Sequence, residues 1–133
     1  MGVALDSTLF IDLARRRPEA VRKVEELDLR SEVKVIPTPV VYEVLSGIFH
    51  SKSRAHAALF RGWVSRFHIA DFTLEGAERA ALIRAELSHL GRVKGTGDIL
   101  SAGIALAGGH SLVTRDRDFP DITQVTGPVL EPY

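Results

Sequence analysis

VALDSTLFID, residues 3–12, is the stretch whose reading decides the fold. Val3, Ala4 and Leu5 make a short apolar run of the kind that forms a strand buried on both faces. The run ends on Asp6, and Ser7 or Thr8 then stands where the N-cap of a helix is expected. Leu9, Phe10 and Leu13 follow at helical spacing. A buried strand running straight into a helix is the opening of a parallel α/β unit. A carboxylate at that junction is expensive to desolvate unless something pairs with it.

The alternation continues along the chain. Pro18 suits the first turn of a helix through about Leu27, with Ala20, Val21, Val24 and Leu27 in register. Val33, Val35 and Ile36 mark a second strand. In TPVVYEVLSGIF, residues 38–49, Thr38 is expected as N-cap and Pro39 at the first helical position. Val41, Val44, Leu45 and Ile48 then share one apolar face. A helix is predicted over 54–66 with Leu59 and Trp63, and core packing is the main reading of Phe49, Phe60 and Trp63.

Residues 67–71 read as a third strand with His68 packed in it. Thr73 is expected to cap a long helix carrying Ala77, Ala80, Ala81, Ile83, Leu87 and Leu90. After a Gly-containing loop, Asp98 opens a small-residue helix that stops at Gly108 and Gly109. Residues 111–114 form a fourth strand, and a weak one is expected near Gln124 to Thr126. The class is α/β: a three-layer sandwich with a mostly parallel central sheet flanked by helices, one domain over residues 1–133.

Bulk properties agree with that class. The chain has 133 residues, enough for one compact domain, with 45% hydrophobic and 26% charged residues, so a soluble globular core is expected. Lys plus Arg equals Asp plus Glu at 17 each, so only local clusters can argue for a polyanionic partner. There are no cysteines, which excludes disulfides and thiolate metal sites and agrees with a reducing compartment. No secretory leader is apparent, and the longest nearly apolar run, 99–109, is too short to span a bilayer. A cytoplasmic protein without membrane contact is expected.

In parallel sheets, sites form beyond the carboxyl ends of the strands. Asp6 and Asp116 lie just past two such ends, Glu43 lies one turn into the third helix, and Asp98 opens the small-residue helix. Each has an ordinary reading: a cap, a solvated glutamate, a first-turn acid favoured by the helix dipole, a turn residue. Together, four like charges would repel by roughly 1–4 kcal/mol per close pair. Such a cluster needs protons or cations, and hard divalent metals with oxygen ligands fit best. On this reading a metal ion stabilises Asp6.

The five histidines, at 50, 56, 68, 89 and 110, give no HExxH and no i, i+4 pair, so zinc hydrolysis has little support. Those other than His68 are expected on the surface. KGTGD, residues 94–98, lacks the order of a P-loop. Basic residues cluster at Arg15, Arg16 and Arg17, at Arg92 and Lys94, and at Arg115 and Arg117 around Asp116. The last two groups lie close to acids, where a basic rim could hold phosphates; Arg15 to Arg17 read rather as solvent or partner contacts.

These motifs resemble the PIN-domain ribonucleases, and in size the VapC toxins of toxin–antitoxin pairs. LDSTLFID matches the family's opening motif, although Thr8 stands where Asn is more usual. TPVVYEVLSG matches the second motif at Glu43, GDILSAGIAL the third at Asp98, and LVTRDRDF the fourth at Asp116, with Asp118 as a substitute acid. The resemblance implies a metal-dependent endoribonuclease using Mg²⁺ or Mn²⁺ and metal-activated water. Asp6, Glu43, Asp98 and Asp116 would be its catalytic acids, with Asp6, Asp98 and Asp116 as metal ligands. Ser7, Thr8 and Thr114 would support them through hydroxyls, and Arg92, Lys94, Arg115 and Arg117 would contact RNA. It further implies a homodimer and a VapB-like antitoxin partner that grips the region of Phe49, Phe60 and Trp63.

Two other readings remain open. A PIN-like interaction module with an inactive site would keep the fold without the cleavage. A receiver-like phosphoacceptor domain has a similar length and acidic pocket, but Asp6 has no acidic neighbour and no Lys follows residues 111–114.

Overall fold

The computed structural model describes residues 2–116, 119–123, 125 and 127–133. The elements run β1 (Gly2–Leu5), α1 (Ser7–Ala14), α2 (Pro18–Asp28), β2 (Val33–Pro37), α3 (Thr38–Ser51) and α4 (Arg54–Arg66). They continue with β3 (His68–Ala70), α5 (Leu74–His89), α6 (Thr96–Ala107), β4 (Ser111–Thr114), α7 (Phe119–Thr123) and β5 (Leu130–Pro132). Among the described residues the sheet has five strands, all parallel, in the order β3-β2-β1-β4-β5.

The central strands alternate their side chains between two cores, as the period of two requires. Val3, Leu5, Ile36 and Val113 join Leu9, Phe10, Ala20, Leu27, Val40, Val44 and Phe60 under α1 to α4. Ala4, Val35 and Leu112 join Ala80, Ile83, Leu87, Ile99, Ala102 and Phe119 under α5 to α7. All four residues of β1 are buried, which explains why it reads as a continuous apolar run. On the first face Phe10 meets Phe60 edge-on, with ring centroids 5.4 Å apart. On the second, α6 approaches α5 so closely that a Cβ on Gly103 would strike the Gly76 carbonyl and Ala80.

Several expectations shift. The N-cap of α1 is Asp6 rather than Ser7 or Thr8, and that of α3 is Pro37 rather than Thr38; neither makes a side-chain cap hydrogen bond. In α4 and α5, Ser53 and Thr73 do cap, accepting from the His56 and Gly76 amides. Helix α6 begins two residues before Asp98. His68 is exposed rather than packed, because β3 is an edge strand. Phe49 is exposed while Phe60 is buried, and His110 is half-buried with its Nδ1 enclosed beside Gly2.

The fifth strand lies at Leu130–Pro132, not near 124–126; Val125 is in a turn, and Gln124 and Thr126 lie outside the described residues. Strand β5 is tied down electrostatically. Glu131 accepts from the buried Lys23 ammonium at 2.8 Å, pairs with Arg30, and accepts from Ser111 at 3.3 Å. Arg30 and Lys23 hold its carboxyl at about 2, well below the usual range. Among the described residues no helix is long and apolar enough to cross a membrane.

Candidate active site

The strand order reverses at β1: β2 and β3 lie on one side, β4 and β5 on the other. Ligands of open parallel sheets bind beyond the strand ends at such a reversal. Here the residues at that point are Asp6, following β1, and Thr114 to Asp116, ending and following β4. The Asp6 amide still bonds the Val113 carbonyl at 3.0 Å, so the sheet pairing carries Asp6 in to the crevice.

Asp6 is 2% exposed. Thr114 Oγ1 donates to its Oδ2 at 2.7 Å, and Thr8 Oγ1 donates to the same oxygen at 3.0 Å. The Thr114 hydroxyl also accepts from the Asp116 amide at 2.9 Å, so one hydroxyl fixes both acids. Thr8 in turn accepts from the Arg115 amide at 3.3 Å. Burial pushes the Asp6 carboxyl above the usual carboxylate range; the hydroxyls pull it back, and the charge of Asp116 raises it again.

Glu43 comes from α3, half-buried, and accepts from Ser7 Oγ at 3.2 Å. Its carboxyl is also raised, first by burial and then by the charges of Asp6 and Asp116, with Ser7 opposing. Asp6, Glu43 and Asp116 therefore share one electrostatic neighbourhood. Asp98, in the first turn of α6, meets Glu43 across a cleft of about 580 Å³ lined also by Thr38, Tyr42, Gly95 and Thr96. Glu43 is a boundary as well. On its other side lies an apolar groove of about 270 Å³ walled by Phe10, Val44, Ile48, Phe60 and Trp63, with Arg15 and His56.

Among the described residues no three His, Asp or Glu side chains form a ready-made metal cage. The donors at hand are oxygens, the buried carboxylate has a raised pKa, and its neighbours are like-charged. That chemistry fits a hard cation such as Mg²⁺, which keeps several of its waters and asks few direct ligands of the protein.

The basic residues are partly engaged. Arg92 and Lys94 pair with Asp121 of α7 at 3.3 and 2.7 Å. Arg115 Nη2 donates to Asp12 Oδ1 at 2.8 Å. Arg117 and Asp118 lie outside the described residues.

Asp12 is the residue that sequence reasoning left without a role. It is 2% exposed and gathers Arg115, Arg17 at 3.4 Å and the Tyr133 hydroxyl, which donates to Oδ2 at 2.8 Å. It thereby ties the loop that carries Asp116 to α1. Its sequence signals are its place as the second Asp of the opening motif LDSTLFID, six residues after Asp6, and its helical register, three residues after the buried Leu9.

A family profile described as PIN domain matches residues 3–125. A tRNA(fMet)-specific endonuclease VapC of Shigella flexneri is 31% identical over 117 residues, covering 86% of this chain and 87% of that protein. The VapBC of Salmonella typhimurium, solved bound to DNA, aligns with a TM-score of 0.81 and 27% identity over 99% of this chain and 98% of that one. VapBC2 of Rickettsia felis, bound to a fragment of its promoter, aligns with a TM-score of 0.85 and 24% identity over 100% and 99%.

Proposed function

Because the chain belongs to the PIN-domain family, we propose that it is the endoribonuclease toxin of a VapBC-type pair, cutting RNA with Mg²⁺ or Mn²⁺ in the cytoplasm. One observation carries this reading: a buried carboxylate, Asp6, sits at the reversal of the sheet within the field of two more acids. A capping aspartate accepts from the second or third helix amide, and Asp6, although its carboxyl is bonded by the Ser7 amide, makes no side-chain cap hydrogen bond.

Asp6, Asp98 and Asp116 would hold the metal directly or through its waters. The bound cation would polarise the phosphate, acidify a water and neutralise the leaving oxygen. Thr114 keeps Asp6 and Asp116 in fixed relation through its two hydrogen bonds. Glu43, steadied by Ser7, would orient the attacking water or add a ligand. Arg92, Lys94, Arg115 and Arg117 would supply phosphate contacts at the rim.

The named activity of the relatives makes initiator tRNA the first substrate to test. By the same likeness a VapB-like antitoxin would cover the site, the groove beside Glu43 offering it apolar contact, and the toxin would act as a homodimer. The purified chain is expected to cut initiator tRNA into discrete fragments in millimolar Mg²⁺ or Mn²⁺. EDTA should abolish cleavage, and Asp6→Asn should slow it by about 100-fold or more, the scale of losing a charge aimed at the reacting centre. Failure to cut any RNA with either metal, or cutting undiminished in EDTA, would leave the chain an inactive PIN-like module or a nuclease of another kind.

A further inference from the structure

We propose that Tyr42 is the platform on which a base of the RNA stacks beside the acids, a positioning residue for cleavage. The inference rests on the ribonuclease reading above. Tyr42 immediately precedes Glu43 on α3, and it is 74% exposed. Exposure of one aromatic ring is ordinary on its own. Its place is not: the ring lines the same cleft as Glu43 and Asp98.

That cleft has the size of a small-ligand site, about 580 Å³. Thr38, Pro39 and Tyr42 of α3 line it together with Gly95, Thr96 and Gly97 at the start of α6. A Cβ on Gly97 would overlap the Glu43 carboxylate, so glycine leaves room where the glutamate enters. Tyr42 therefore shares one open cleft with two of the acids, Glu43 and Asp98. Single-stranded RNA is recognised chiefly by stacking of splayed bases on aromatic faces. A base on Tyr42 would bring its own backbone phosphate to the acids. The ring would fix where the chain is cut relative to that base while tolerating any base. The groove of Phe10, Phe60 and Trp63 on the far side of Glu43 has a larger share of apolar side chains in its lining, which suits a protein segment better.

Steady-state cleavage of initiator tRNA by Tyr42→Ala, Tyr42→Phe and Tyr42→Trp tests the idea. A stacked base is worth about 1–3 kcal/mol, so Tyr42→Ala should raise KM about 5- to 150-fold with a smaller change in kcat. Tyr42→Phe and Tyr42→Trp should stay near wild type, and Mn²⁺ binding should be unchanged in all three. A parallel assay uses Asp6→Asn protein and a short single-stranded oligonucleotide carrying 2-aminopurine. Quenching of that base on binding should be lost with Tyr42→Ala and kept with Tyr42→Phe.

Wild-type kinetics in Tyr42→Ala, or equal loss in Tyr42→Phe and Tyr42→Ala, would overturn the proposal. So would a changed oligomeric state in Tyr42→Ala with an unchanged KM, which would make the ring a protein contact. Binding without cleavage by the wild type would sink the hydrolytic reading alone, leaving stacking to be judged by the quenching. Neither binding nor cleavage would sink both.

Discussion

Asp6 holds its proton more tightly folded than unfolded, because burial and the Asp116 charge both oppose ionisation. A raised acid pKa means that folding binds protons, so in the metal-free protein the ionised carboxylate lowers stability above that pKa. The penalty fades as pH falls through the raised value toward the unfolded one. Asp6→Asn removes the charge and can still accept from Thr114 and Thr8. In EDTA at pH 7 it should therefore melt higher than wild type, by about 4 °C for each kcal/mol relieved. The gap should close toward acid pH. Millimolar Mg²⁺ or Mn²⁺ should raise the melting temperature of the wild type and not of Asp6→Asn, by the usual linkage of binding to folding. A lower melting temperature for Asp6→Asn at pH 7 would make the carboxylate a structural anchor instead.

At the scale of elements, local chemistry made some segments readable and left others hidden. Helices α3, α4 and α5 carry periodic apolar faces with Pro or a capping hydroxyl at their starts, and their bounds fall within a residue or so of expectation. Helix α7 and strand β5 have five and three residues, too short for any period to show. Strand β5 is held by Glu131 through Lys23 and Arg30, partners about a hundred residues away. Phe49 and His68 have the residue types of a core but sit on an outer helix face and an edge strand. The small-residue pattern of α6 has a packing cause as well. Gly103 lies against the backbone of α5, so Gly103→Val should cost about 1–3 kcal/mol by overpacking. Denaturant titration with an unchanged slope would show that loss, and wild-type stability would mean that α5 and α6 can part without penalty.

At the scale of the molecule, the alternation of strands and helices was legible, but the order β3-β2-β1-β4-β5 was not. That order is what turns separate acids into neighbours. It lays the end of β1 against the end of β4, and α3 then brings Glu43 to Asp6 through Ser7. Asp12 shows the same limit from the other direction. Its partners Arg115 and Tyr133 are 103 and 121 residues away, and no spacing rule reaches that far. Asp98 is the acid whose membership matters most, since it faces Glu43 across the cleft from a different element. Calorimetric titration of Mn²⁺ into the wild type and into Asp98→Asn, with Asp6→Asn beside them, asks directly whether these carboxylates form one centre. The expected result is a saturable isotherm for the wild type that is lost or weakened at least 10-fold in each variant. Equal binding by all three proteins, or no binding by any at millimolar metal, would contradict a shared metal centre.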